Sequence, residues 1–424
     1  MDTRSIISSP SLTEKLFTTF SLFYSTAPFF PLLQGEREVG TIGWVGNWTT
    51  NLLWILIYVG SFWFLLRYCP IPFAELKKNW ILSIIVVIGP ISLLWSVEPI
   101  LTLLRSGAMI GTALVSIYIR RRYTTRELLT LCSWSLGLAA GCTVFFVALL
   151  PQYGLGSGEF EGSWLGIYGQ KNNLGAVMAV GYLVSILLYK FTPSRRFRYL
   201  LSAGCMLGLV FLSASATSLM ICLSLPFFLW AARLIFEPSK HRLRRRLLVA
   251  ICVVVLALTI ASDFEGVTSA VGRDEGLSGR AAIWLSAFQA IQERPLLGYG
   301  YEAFWQSDKT AAGSIWSSVG QNLFYSHNGL LEVWLGLGIV GVLAVSGCFV
   351  VACRRSLNAA WRRFCLESVW PLALLFYLLL SNLTEVSLMK GNTLPWLLFL
   401  TVVQVSSRTQ VCLSTKRVDR ISQF

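Results

Sequence analysis

Apolar residues in this chain arrive in continuous blocks of roughly 15–24, set apart by short polar or basic runs. A block of about 20 spans the hydrocarbon core of a bilayer as a helix. Continuous rather than alternating hydrophobicity argues for helices and against a barrel. Twelve such blocks are predicted, at 16–33, 51–67, 80–95, 99–119, 128–150, 173–190, 198–214, 216–235, 246–262, 326–351, 367–384 and 393–407. The chain therefore reads as all-α, a polytopic membrane helical bundle of about twelve transmembrane helices. No small-residue cleavage site follows the first block, which is expected to be retained as a span. Neither a repeat of 20–50 residues nor a low-complexity segment interrupts the pattern.

Composition agrees with that reading. The chain is 55% hydrophobic and 13% charged, where a soluble domain is nearer ~25% charged, and its mean hydropathy is +0.63. Charge adds an orientation. With the segments between blocks numbered alternately from the N-terminus, the odd set includes "RRRYTTRE", "KFTPSRRFRY", "EPSKHRLRRR" and "CRRSLNAAWRRF". That set holds 27 of the 35 lysines and arginines, whereas the even set holds 7 against 13 acids. Short basic loops stay in the cytoplasm, so both termini are expected there and the even loops outside. The net charge of +14 is then a topology signal with some attraction to anionic membrane lipid, and no nucleic-acid partner is expected. All ten cysteines lie in predicted spans or cytoplasmic segments, which argues against a disulfide framework. No Cys/His pair has zinc spacing, and neither metal nor cofactor is expected.

Four regions follow: spans one to nine (1–262), a large outward, periplasmic loop between spans nine and ten (263–325), spans ten to twelve (326–407) and a cytoplasmic tail (408–424). Such a long connection is usually functional. Inside it, Ile283, Trp284, Ala287, Phe288 and Ile291 recur at helical spacing. Ser278 is a candidate N-cap and Pro295 with Gly298 a stop, which predicts a short amphipathic helix on the membrane surface or capping the bundle. Arg280 falls in its first turn, where a cation opposes the helix dipole, and this points to an anionic partner outside. In "YGQKNNLG" (168–175), Lys171, Asn172 and Asn173 open a span. They read either as an anion site at a helix start or as an ordinary polar helix entry. Arg105 and Glu332 lie inside spans, where charges are costly and are normally paired or cavity-facing. They are expected to face a common outward cavity, and spacing leaves open whether they touch. "FYSHNGLLEVW" (324–334) holds His327, one of two histidines in the chain. An imidazole with an unperturbed pKa of about 6.5 suits proton transfer. The alternative is a helix cap, a role that Ser326 and Asn328 already suit. The stretch "NLTEVSLMKGNT" (382–393) also has an unusual composition for a short connection. No phosphate-loop pattern is present.

On "GIYGQKNNLG" (166–175), "SGRAAIW…ERPLLGYGYEAFW" (278–305) and "SHNGLLEVWLGLGIVG" (326–341), the chain resembles the O-antigen ligase and polysaccharide-polymerase superfamily, and among its members the succinoglycan-type exopolysaccharide polymerases. The resemblance implies a metal-independent transferase of the bacterial inner membrane. Its donor would be an undecaprenyl-diphosphate-linked oligosaccharide, its acceptor a growing glycan, and its candidate partners a flippase and chain-length regulator proteins. By motif match, Arg280 and His327 are the catalytic residues, and Lys171 fills the "KN" position. The "SASATS" stretch (213–218) lacks the arginine that often follows such serines in ligases, a departure that bears on ligase activity. The chemistry is coherent. Arg280 and Lys171 would neutralise a diphosphate leaving group, and His327 would take the acceptor proton. Attack opposite the leaving group would invert the anomeric centre, while Asn172, Arg105 and Glu332 complete the expected substrate-binding set. Two rival readings are an O-antigen ligase acting on a lipid A-core acceptor and a secondary transporter. A transporter would be expected to show matching halves, and none are found.

Overall fold

A computed structural model describes residues 9–29, 48–68, 79–262, 276–306, 310–319 and 324–404. The predicted cytoplasmic tail, the first part of the long loop (263–275) and the outer ends of the first and last blocks lie outside the described residues. The helices are α1 (Leu12–Tyr24), α2 (Trp48–Tyr68), α3 (Trp80–Ile91), α4 (Pro99–Arg122), α5 (Thr125–Leu149), α6 (Lys171–Phe191), α7 (Arg196–Leu212), α8 (Ala216–Phe236), α9 (Arg242–Ser262), α10 (Gly276–Glu293), α11 (Ala312–Val319), α12 (Gly329–Arg362), α13 (Leu366–Ser381) and α14 (Leu394–Val403). Each predicted block carries a helix. Among the described residues six helices are long and apolar enough to cross a membrane, and shorter apolar helices accompany them. The chain is a multi-pass helical membrane protein.

Local chemistry sets several of these starts. Ser11 and Glu14 form a capping box at α1, and Thr124 and Glu127 form another at α5, satisfying amides that a helix start leaves without partners. Helix α6 is the hub, packing against α5, α7, α8 and α13. Small residues allow the close approach: a Cβ on Gly175 would come within 2.6 Å of Ser215. At the predicted cytoplasmic end, Arg122 donates to both carboxylate oxygens of Glu14 at 2.6 and 2.7 Å. Both side chains are 1% exposed, and the guanidinium also lies over the Tyr68 ring.

Two elements depart from the expected outline. Helix α10 begins at Gly276, so Ser278 lies inside it rather than at its cap, and Arg280 sits just past the first turn. Its buried face is Ile283, Ala287, Ala290 and Ile291, with Trp284 partly buried and Phe288 46% exposed. At 100° per residue Phe288 falls at the rim of the stripe centred on Ala287, too far round to reach the core. This helix packs on α12 and α11 over a small apolar core of its own that includes Tyr299, Phe304 and Trp305.

Helix α12 is broken. Gly338 has φ 64° and ψ −167° in the middle of it, a conformation that glycine adopts without a Cβ penalty. The loop after α10 fills the break. Leu335 and Gly336 carbonyls accept from Tyr299 and Gly300 amides, both at 2.9 Å, while the Ile339 amide donates to the Pro295 carbonyl at 2.9 Å. The hydrogen bonds that a continuous helix would make with itself are thus made with the plug, and the backbone stays satisfied.

Candidate functional site

The site forms at the end of the bundle that charge predicts to face outward, and it starts from how α12 begins. Asn328 is the N-cap, its side chain accepting from the Leu330 and Leu331 amides at 3.1 Å. The cap is therefore taken, and His327 has no capping role. Its backbone has φ 52°, a left-handed conformation uncommon outside glycine. The turn is clamped on both sides. Glu332 accepts from the Ser326 amide at 2.8 Å and from Trp305 Nε1 at 3.1 Å. Trp284 on α10 donates to the Ser326 carbonyl at 2.9 Å. The clamp holds the imidazole where a strained backbone would otherwise relax.

A second segment comes back to meet it. After α13, Asn382 accepts from the Ser387 and Leu388 amides through its side chain. Its carbonyl accepts from the Gly329 amide at 2.9 Å. The fold-back sets Glu385 among three residues that the sequence singled out. Its carboxylate is 3.4 Å from Arg280 Nη2, accepts from Asn172 Nδ2 at 3.0 Å and lies 3.9 Å from His327 Nδ1. Arg280, His327 and Asn172 are brought together through an acid absent from the expected set.

Electrostatics at this point are unusual. Burial, helped by the positive charge of Arg280, pulls the His327 pKa down to about 4. The imidazole is neutral near pH 7, and its Nδ1 has no hydrogen-bond partner among the described residues. The ring lies 4.4 Å from that of Tyr325, centroid to centroid, whose phenol is pushed up by burial and then by the Glu385 charge.

Arg105 and Glu332 do not pair. Arg105 Nη1 meets Glu302 Oε2 at 2.9 Å and the Glu302 carbonyl at 3.0 Å. Lys390 then bridges, its Nζ 3.3 Å from Glu302 and 3.8 Å from Glu332. The result is a buried row of alternating charge: Arg105, Glu302, Lys390, Glu332. Arg105, Asn172, Glu385 and Lys390 line a cavity of about 130 Å³. Glu332 lines a smaller neighbour, shared with Glu302 and Lys390. Lys171 is in the lining of neither cavity, and its Nζ lies 4.7 Å from the centroid of the Phe160 ring. No group of three or more His, Cys, Asp or Glu side chains suited to a metal occurs among the described residues.

Three residues were missed: Glu385, Glu302 and Lys390. Two of them lie in the 382–393 stretch whose composition stood out, but nothing in that stretch says where it folds.

Residues 201–346 match the family model described as O-antigen ligase. Over that segment the chain is similar to the O-antigen ligase family. It is also 25% identical over 291 residues to the exopolysaccharide production protein ExoQ of Rhizobium meliloti (strain 1021). That alignment covers 64% of this chain and 64% of the relative, so the chain matches somewhat less than two thirds of the relative's length. The chain is thus similar, over part of its length, to proteins of O-antigen ligation and exopolysaccharide production. The O-antigen ligase match runs from α7 into α12 and contains Arg280, Glu302, His327 and Glu332. Arg105, Asn172, Glu385 and Lys390 lie outside it. The site is thus assembled from the matched segment, from α4 and α6 before it and from the connection between α13 and α14 after it.

Proposed function

We propose that the chain is a polymerase of the inner membrane that joins undecaprenyl-diphosphate-linked oligosaccharide repeats into exopolysaccharide at the periplasmic face, without a metal and with inversion. The observation that carries this reading is the Arg280–Glu385–His327 cluster, whose Glu385 also lines a cavity. It holds one cation able to receive an anionic leaving group and one neutral imidazole able to receive a proton. Arg280 takes the diphosphate in a bidentate fork, exchanging its long 3.4 Å contact with Glu385 for a stronger one. Glu385, released, closes on His327 Nδ1 and keeps Asn172. The acceptor hydroxyl attacks the anomeric carbon. Its oxygen–carbon bond forms as the carbon–diphosphate bond breaks, the electron pair leaves on the diphosphate, and the hydroxyl proton passes to His327 Nε2. An imidazole with a pKa near 4 is a weak base at neutral pH. The Glu385 carboxylate and the incoming diphosphate both stabilise its protonated form, so basicity rises when the donor binds.

The match to O-antigen ligase favours a second reading, transfer of glycan to a lipid A-core acceptor. One experiment separates them. Purified protein in lipid nanodiscs, with excess EDTA, is given the lipid-linked repeat alone or with lipid A-core. A ladder of longer lipid-linked glycans from the donor alone is expected. Product only with lipid A-core makes the chain a ligase, and no product with either overturns both. Activity abolished by EDTA and restored by Mg²⁺ overturns the metal-independent mechanism.

A further inference from the structure

The cavity that Glu385 lines has its own charge balance, and this bears on what it admits. Its volume of about 130 Å³ is on the scale of the ~150 Å³ cavity that admits one six-membered ring. The wall carries apolar and aromatic surface, including Tyr168, Tyr325 and Tyr377, with the amides of Asn172 and Gln306 among its polar groups. Aromatic faces against ring C–H groups, with fixed amide and hydroxyl groups around them, suit a pyranose.

Two cations on that wall, Arg105 and Lys390, would by themselves invite a carboxylate. Both are already committed to one acid behind the wall: Glu302 is 2.9 Å from Arg105 and 3.3 Å from Lys390. Glu332 adds a second negative charge on the far side of Lys390, so the row of four is neutral. Glu302 is held there by a left-handed backbone, φ 55°, and by Arg105 gripping its carbonyl, which marks its position as constrained. The remaining wall charge is Glu385, and on the reading above it loses part of its compensation when Arg280 turns to the diphosphate. Arg105 is 7% exposed and its Nε has no partner among the described residues, which leaves a donor for a neutral hydroxyl. We infer that this cavity is a subsite for one neutral pyranose of the glycan substrate, with Glu302 the residue that excludes uronic acids. A carboxylate brought there meets Glu385, with no unpaired cation among the described lining residues to receive it, and like charges brought together weaken binding.

The inference rests on the proposed glycan chemistry, and its test keeps the two apart. Saturation-transfer NMR on the purified protein in nanodiscs uses methyl glucopyranoside and methyl galactopyranoside against their glucuronic and galacturonic counterparts. Wild type should bind the neutral pair and bind the uronides about tenfold more weakly or less. Glu302→Gln frees Arg105, leaves Lys390 with Glu332 alone and should bring uronide binding up toward the neutral level. Lys390→Gln, the second variant should the first fail to fold, leaves the wall more negative and should exclude uronides further while keeping the neutral ligands. Equal binding of uronides by wild type, no pyranoside binding, or selectivity unmoved in the folded variant overturns the subsite. Selective binding by a protein that forms no glycan from any lipid-linked donor overturns the polymerase reading and leaves the subsite standing. Polymerisation without selectivity does the reverse.

Discussion

Two buried ionic clusters sit at opposite ends of this bundle, and they are built differently. At the predicted cytoplasmic end, Glu14 and Arg122 meet through two charge-assisted hydrogen bonds of 2.6 and 2.7 Å. A capping box holds the carboxylate and an aromatic ring covers the guanidinium. At the other end, Arg280, Glu385 and His327 stand 3.4 and 3.9 Å apart, with an imidazole nitrogen that has no hydrogen-bond partner among the described residues and a left-handed histidine backbone. The first arrangement has nothing left to bind and serves to join α1 to α4. The second is under-satisfied and strained, the condition in which a site gains free energy by receiving a ligand.

That contrast is broken most directly by cutting each cluster. Arg122→Ala leaves a buried carboxylate without its partner, which costs roughly 3–5 kcal/mol. Folded yield and the thermal unfolding midpoint in detergent should fall together. Glu385→Gln should leave both within the small range of a partly exposed site while abolishing most glycan transfer. The opposite pattern would make Glu385 a staple and Glu14–Arg122 dispensable. The next effect is on rate. Asn tolerates the left-handed conformation, so His327→Asn keeps the backbone without the imidazole. Its turnover should drop on the order of 10²–10⁴-fold with an unfolding midpoint near that of wild type, and full turnover would remove His327 from proton transfer.

Between the clusters in size lies the break in α12. A Cβ on Gly338 would come within 2.1 Å of the Leu296 carbonyl oxygen in a backbone conformation that alone costs a side chain about 1–3 kcal/mol. Gly338→Ala should lower the unfolding midpoint. Gly347→Ala in the same helix, with nothing within 4 Å of the added carbon, should leave it unchanged or raise it, since alanine is favoured over glycine there by roughly 0.5–1 kcal/mol. Equal midpoints would mean that the plug is not held as described.

The smallest effect is a pH dependence. The folded-state pKa of His327, about 4, is below its unfolded value of about 6.5, so protons favour the unfolded chain. Its contribution to stability is whole above pH 6.5 and is lost as pH falls from there to 4. The profile of kcat/KM reports the free protein. It should show no limb near 6.5 from this histidine and should fall only toward pH 4. A limb near 6.5 that disappears in His327→Asn would show an unburied, ordinary imidazole.

The helices were legible because burial in lipid is a demand on each residue and its near neighbours. Twelve blocks became twelve helices with no information from elsewhere in the chain. Arg280, His327 and Asn172 were legible for a related reason, as polar groups of rare type at the edges of apolar runs. Gly338 was not: "LGLGIVG" reads as continuous helix, and the break exists only because residues 295–300 come to fill it. Glu385 and Lys390 lay in a connection of unusual composition, and nothing local showed that Asn382 turns it back onto the start of α12. Lys171, which local sequence left open between an anion site and a plain helix entry, has its Nζ over the Phe160 ring. Hydrophobic length is decided along the chain, but the partner of a charge is decided by distance through space, and that distance is set by segments hundreds of residues apart in sequence: Arg105 found Glu302 rather than Glu332 because the loop bearing Glu302 was carried over α4 by its contacts with α12.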